Sequence, residues 1–137
     1  MRQFLRVILL IGMLGTLAEL LLLEHTEGYW QRLPLALLVL GLAATMVEVM
    51  SARRWPRLTL QVVMAVFLIG GAIGLVQHYQ VNREFEREMY PTRRGLELAW
   101  ESLKGATPTL APAAMIQLGL LGLLYSRPRP EVGSKRL

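Results

Sequence analysis

Apolar residues are grouped along this chain into four long stretches, and this grouping restricts the fold more than any other feature of the sequence. Two stretches carry no formal charge over more than 20 residues: 58–82 has 25 residues and 105–126 has 22. Two shorter stretches, 7–18 and 33–47, each continue past one glutamate. Because a membrane-spanning helix needs about 20 predominantly apolar residues, the pattern predicts four transmembrane helices.

The predicted fold class is therefore an all-α integral membrane protein with four transmembrane helices in an antiparallel bundle. We expect residues 1–137 to form a single membrane domain with spans at about 4–23, 34–51, 58–79 and 106–125. A polar outer connection, 80–105, separates the last two spans, and 126–137 form a tail. The composition agrees, since 53% of the residues are hydrophobic without counting glycine, whereas soluble domains reach about 45–50% with glycine included.

Basic residues predict how the chain is oriented in the bilayer, because lysine and arginine collect in the short cytoplasmic segments of membrane proteins. Nine of them fall on one predicted side, against the single acid Glu131, and the other side is close to electrically balanced. We therefore expect both termini to be cytoplasmic and the protein to lie in a plasma membrane, such as the inner membrane of a bacterium. The charge of +5 reflects this orientation and does not indicate a nucleic-acid partner. The nine residues are Arg2, Arg6, Arg53, Arg54, Arg57, Arg127, Arg129, Lys135 and Arg136.

The outer connection contains a predicted amphipathic helix. Leu96, Trp100 and Leu103 recur at positions i, i+4 and i+7 and share one face, with charged residues on the others. Such a helix is suited to lie in the membrane interface. It either caps the bundle or offers a docking surface, and the sequence leaves both readings open.

The first two spans share a pattern of small residues that ends in a glutamate. Gly12, Gly15, Thr16 and Glu19 are matched by Gly41, Ala44, Thr45 and Glu48, each 29 positions later. Small residues let transmembrane helices approach closely, and the third and fourth spans carry glycines of their own. The predicted helix-packing positions are Gly12, Gly15, Gly41, Ala44, Gly70, Gly74, Gly119 and Gly122.

Ionisable residues inside spans are functional candidates by default. Arg6 lies at a predicted depth similar to that of Glu48, so we expect an Arg6–Glu48 ion pair that joins the first two helices. No basic residue of the first two helices lies at the depth of Glu19. Glu19 is therefore the first candidate for a functional carboxylate, and Glu48 is the candidate for a structural one.

The composition argues against most common classes of enzyme active site. The chain has no cysteine and no aspartate, and it contains no phosphate-binding, nucleophile-elbow or zinc-protease motif. We expect a non-enzymatic protein with no metal site and no cofactor. One alternative remains open, because His25 and His78 end the first and third spans at the same predicted boundary and two imidazoles can ligate haem or a pigment.

One short stretch resembles a known transporter family. Leu17-Ala18-Glu19, followed by Thr26-Glu27-Gly28-Tyr29, is similar to the first helix and its exit in the small multidrug resistance transporters. The resemblance covers about a dozen residues, and the outer connection here is longer than in that family. It implies proton-coupled transport with Glu19 as the coupling carboxylate.

The preferred hypothesis is an accessory or structural subunit, or a self-associating helix bundle. Its expected partners are the lipid bilayer and another membrane protein or a second copy of the chain, with no nucleic acid among them.

Overall fold

A computed structural model describes residues 1–51 and 53–128, and all regular secondary structure in these residues is helical. Helices α1, α2 and α3 are long and apolar enough to cross a membrane, which confirms the prediction of a helical protein with membrane-length apolar segments. Most of the predicted tail, including Arg129, Lys135 and Arg136, lies outside the described residues. The helices are α1 (Arg2–Leu22), α2 (Tyr29–Met50), α3 (Arg54–Met89), α4 (Gly95–Leu103) and α5 (Ala113–Tyr125).

Helices α3 and α5 differ most in length from the predicted spans. Helix α3 has 36 residues and is about 54 Å long, so it exceeds the hydrocarbon core of a bilayer, which is about 30 Å thick. Helix α5 has 13 residues and starts at Ala113, although the uncharged stretch starts at Gly105. Pro108 and Pro112 account for the late start, because neither has an N–H group to donate. The chain there forms successive turns, with Ala111 N–H donating to Pro108 O at 3.0 Å and Met115 N–H to Pro112 O at 3.1 Å.

The core forms where α3 packs against α2 and α5, and where α1 packs against the same two helices. Glycines permit these close contacts. A methyl group at Gly119 would lie 2.7 Å from the backbone oxygen of Met64, and one at Gly122 would lie 2.1 Å from the Met64 sulfur. The buried core side chains are Leu9, Met13, Leu38, Leu60, Met64, Phe67, Met115, Leu118 and Tyr125.

Helix α4 packs against the extended end of α3. Leu98 and Ser102 are buried there. The predicted apolar face points the other way: Leu96, Trp100 and Leu103 are 89%, 61% and 45% exposed. The outward face thus suits an interfacial helix, and the residues that hold α4 to the bundle are different ones.

Asn82 of α3 forms hydrogen bonds with the segment that connects α4 and α5. Its side-chain amide donates to Thr107 O at 2.7 Å and to Thr109 Oγ1 at 2.9 Å. Its oxygen accepts from Thr107 N–H at 3.0 Å and from Thr107 Oγ1 at 2.6 Å. All four hydrogen-bonding positions of the asparagine are therefore used, and its side chain is buried.

Candidate functional site

The buried carboxylate of Glu48 joins four helices at one end of the molecule. Glu48 is 7% exposed. Arg2 of α1 donates to its Oε1, and Tyr125 of α5 donates from its hydroxyl to Oε2 at 2.5 Å. Arg57 of α3 brings its Nε to 4.0 Å from Oε1. The cluster therefore lies where α1 and α3 begin and where α2 and α5 end.

The ion-pair partner of Glu48 is Arg2, one helical turn before the predicted partner Arg6. Arg2 and Arg6 are four residues apart and lie on the same face of α1, so the predicted partner is on the correct face and one turn too far along the helix. Glu48 lies within one turn of the end of α2 at Met50, and α1 starts at Arg2. The two helix ends therefore meet at Glu48.

Positive charge exceeds negative charge in this cluster. One carboxylate faces the two guanidinium groups of Arg2 and Arg57, and the Nε atoms of both arginines are buried without a hydrogen-bond partner among the described residues. The Arg2 guanidinium also lies 5.1 Å from the centre of the Tyr125 ring, within the range of a cation–π contact. The contacts of Glu48 join the ends of four helices, which is the arrangement expected of a structural ion-pair cluster.

The environment of Glu19 is the opposite of the buried environment of Glu48. It is exposed on the outside of α1, and Gly15, one turn earlier, is exposed as well. A methyl group built on Gly15 would meet nothing within 4 Å. Apolar side chains on the same part of α1 are also uncovered, with Ile11 65% and Leu14 54% exposed. We call the surface formed by Ile11, Leu14, Gly15, Ala18 and Glu19 the α1 outer face.

The two matched sequence patterns therefore have contrasting surroundings. In α2, Gly41, Thr45 and Glu48 are all buried, and a methyl group at Gly41 would lie 2.8 Å from the Phe67 ring. In α1, the equivalent of Gly41 is Gly12, which meets Leu118 of α5, whereas Gly15 and Glu19 face outward. The pattern in α2 is covered by other helices of the chain, and the second half of the pattern in α1 is not.

The two histidines lie close enough for their charges to interact. His25 follows α1, and His78 lies in α3. Partial burial lowers the pKa of His25 below 6.5, and the charge of His78 lowers it further. The Nδ1 atom of His78 is 3.2 Å from Pro108 O. Within the described residues, no three His, Cys, Asp or Glu side chains are grouped so that they could hold a metal ion.

Sequence reasoning missed several residues of the Glu48 cluster. The charge pattern predicts only an orienting role for Arg2 and Arg57, and the structure brings both of them, together with Tyr125, to one carboxylate. The signal that could have found them is the shared predicted side, since all three lie at the ends of spans that the basic residues predict to be cytoplasmic. Asn82 was also missed, because a single polar residue beyond the end of a span carries no distinctive pattern.

No protein-family model matches this chain, and neither a curated protein nor a solved structure is significantly similar to it. The local resemblance around Glu19 to the small multidrug resistance transporters therefore has no family match behind it, and the functional argument rests on the chain's own residues.

Proposed function

We propose that this chain is a non-enzymatic accessory subunit of a membrane-protein complex, and that its α1 outer face binds a transmembrane helix of a partner protein. The observation that carries the proposal is the contrast between the two matched patterns. In α2, neighbouring helices cover the small residues, and the glutamate accepts hydrogen bonds from Arg2 and Tyr125 and lies 4.0 Å from Arg57. In α1, Gly15 and Glu19 remain uncovered, so a partner helix would supply what the chain itself supplies at Glu48.

The proposed membrane topology has four crossings, formed by α1, α2, α3 and the short α5, with both termini on the cytoplasmic side. The basic residues support this orientation: Arg53, Arg54 and Arg57 lie at the end that contains Arg2 and Glu48. Helix α5 is about 20 Å long, and the turns at 108–112 lengthen its path. Its packing against α1 and α3 favours placing it in the bilayer with them.

An exposed glutamate on a membrane-spanning helix favours association. A carboxylate near the centre of such a helix costs about 2.5–3.5 kcal/mol on insertion scales, and Glu19 lies nearer the helix end, where the cost is smaller. A donor on a partner helix would offset that cost. Gly15 would let the partner backbone approach closely, as small residues do in membrane helix pairs.

Charge favours a different protein as the partner over a second copy. A symmetric contact through the α1 outer face would bring two Glu19 carboxylates together, and like charges in a low-dielectric contact repel. Between Arg6 and His25 the chain offers no basic residue to balance them. The partner helix is therefore expected to carry Lys, Arg or a neutral donor at this depth.

The exposed position of Glu19 also favours this proposal over the transporter alternative. The carboxylate faces away from the packed helices, so the described residues of one chain give it no enclosed path for a substrate. That geometry favours a binding role for the residue over proton-coupled transport.

The hydrogen bonding of His78 favours one second candidate, a subunit that binds haem or a pigment through His25 and His78. His78 Nδ1 can donate to Pro108 O, an arrangement that orients ligating histidines. A preparation from cells supplied with the cofactor would be coloured, with absorption lost in His78→Gln. A colourless preparation would reject this candidate.

Association is tested by purifying the tagged chain from its native membrane in mild detergent. We expect a complex with a different membrane protein, which Gly15→Leu and Glu19→Leu disrupt because they block close approach and remove the acceptor. Val39→Leu, on an exposed part of α2, is the matched control and should leave the complex intact. A monomer, a homodimer, or equal loss in the control would contradict the proposal.

The topology is tested by cysteine labelling, for which the absence of native cysteine gives a clean background. In intact cells, a membrane-impermeant maleimide should label Thr92→Cys in the outer connection and not Ser51→Cys, which should react only after lysis. Labelling of Ser51→Cys in intact cells would reject the proposed orientation.

A further inference from the structure

A cleft beside the Glu48 cluster is lined by three arginines. It has a volume of about 410 Å³ and lies at the start of α3. The unpaired peptide N–H groups at a helix start contribute partial positive charge there. Its lining residues are Arg53, Arg54, Arg57, Leu58, Gln61 and Pro128.

The cleft carries positive charge that the described residues do not neutralise. Arg53 and Arg54 are exposed and form no ion pair with the described residues. Arg57 approaches Glu48 only to 4.0 Å, and its buried Nε has no hydrogen-bond partner among those residues. The Glu48 oxygens are already bound by Arg2 and Tyr125, so Arg57 retains donors for another anion.

A second arginine-lined groove differs in that one of its arginines, Arg93, is paired with carboxylates. It lies between α3 and α4 and contains Arg83, Arg87, Arg93 and Arg94. Acidic residues are close by there, since Arg93 pairs with Glu86 and with Glu97 at 3.6 Å. In the cleft at the start of α3, the only ion pair among the described residues is the long contact from Arg57 to Glu48.

The surroundings of the cleft indicate the kind of anion. Trp55, next to Arg54, is 76% exposed, and tryptophan is typical of the membrane–water interface. Leu58 gives the cleft an apolar side towards the membrane-length part of α3. Guanidinium groups bind phosphate oxygens in a bidentate manner. In the proposed topology, on which this step rests, the cleft faces the cytoplasmic leaflet, where anionic lipids are concentrated. We infer that this cleft binds the headgroup phosphate of an anionic phospholipid.

The inference is tested by native mass spectrometry of the full chain in detergent, titrated with phosphatidylglycerol, with phosphatidylcholine of the same acyl chains, or with inorganic phosphate. The test variant is Arg53→Gln/Arg54→Gln, and the matched control is Arg83→Gln/Arg87→Gln in the other groove. Each arginine near a membrane surface is worth about a five-fold change in lipid affinity. The test variant should therefore weaken phosphatidylglycerol binding about 30-fold, and the control should leave it unchanged.

Tighter binding of phosphatidylglycerol than of phosphatidylcholine, lost only in the test variant, supports a lipid site. Equal binding of the two lipids, or equal weakening in both double variants, would overturn the inference. Inorganic phosphate that displaces phosphatidylglycerol at similar concentration would also overturn it, because the site would then take a free anion. If circular dichroism shows that the double variant does not fold, Arg53→Gln, which precedes α3, replaces it with an expected loss of about five-fold.

Discussion

At the scale of single residues, the two glutamates show how surroundings decide the role of the same side chain. Glu48 is buried and accepts hydrogen bonds from Arg2 and Tyr125, with Arg57 4.0 Å away, whereas Glu19 is exposed on the outside of α1. The sequence predicted both as intramembrane carboxylates and assigned the structural role to Glu48. It could not give Arg2 as the partner, because a one-turn error in depth selects a different residue on the same face.

Removing the Glu48 carboxylate should destabilise the helix bundle. Glu48→Leu leaves Arg2 and Arg57 facing each other without an acceptor, and removal of one partner of a buried pair costs about 3–5 kcal/mol. Both arginine side chains are 31% exposed and can partly hydrate, so we expect about 2–3 kcal/mol in unfolding free energy. Unfolding in detergent measures the change. Glu19→Leu is the control, and a loss of the same size there would contradict the account.

Replacement of glycine by alanine should destabilise the protein at Gly119 and should not destabilise it at Gly15. Gly119→Ala places a methyl group 2.7 Å from the Met64 backbone oxygen, and such overpacking costs about 1–3 kcal/mol. Gly15→Ala meets open space and should be neutral or stabilising by up to about 1 kcal/mol, since alanine favours helix over glycine. The same unfolding experiment compares the two variants. Equal destabilisation would show that Gly15 is packed in the protein.

At the scale of elements, sequence periodicity predicted the exposed face of α4 and missed its attachment. Leu96, Trp100 and Leu103 stood out because they repeat at helical spacing, whereas Leu98 and Ser102, which are buried against the bundle, carry no such pattern. Helix α5 shows the converse: its stretch is uncharged throughout, yet Pro108 and Pro112 shorten the helix. Hydropathy gives the apolar length of a segment, and backbone hydrogen bonding decides how much of it becomes helix.

Asn82 should control the attachment of α4 and of the segment that follows it. Asn82→Ala removes four hydrogen bonds to Thr107 and Thr109 and takes away the partner of the Thr107 backbone N–H and C=O groups. Hydrogen exchange should therefore become faster in residues 95–109 and stay unchanged in α1 and α2. Gln80→Ala, at an exposed position of the same helix, provides the control. Unchanged exchange at 95–109 in Asn82→Ala would show that α4 is held by its apolar contacts alone.

At the scale of the whole molecule, the pattern of small residues and a glutamate occurs in both α1 and α2. In α2 it is buried against other helices, and in α1 its Gly15 and Glu19 are exposed. The sequence predicted the repeat and chose Glu19 as the functional candidate, on the argument that it lacked a partner. It could not show which side of α1 faces outward, because all sides of that helix are apolar. The uncovered copy supports the proposal that α1 binds a helix of another membrane protein.

The most direct test is site-specific photo-crosslinking in the native membrane, with a photoreactive amino acid at Ile11, one turn before Gly15 on the α1 outer face. The account predicts one discrete adduct with another membrane protein, absent when Glu19→Leu is added. The same probe at Val47, an exposed position of α2, should not form that adduct. Adducts from Ile11 with lipid alone, or with a second copy of this chain, would contradict the central claim.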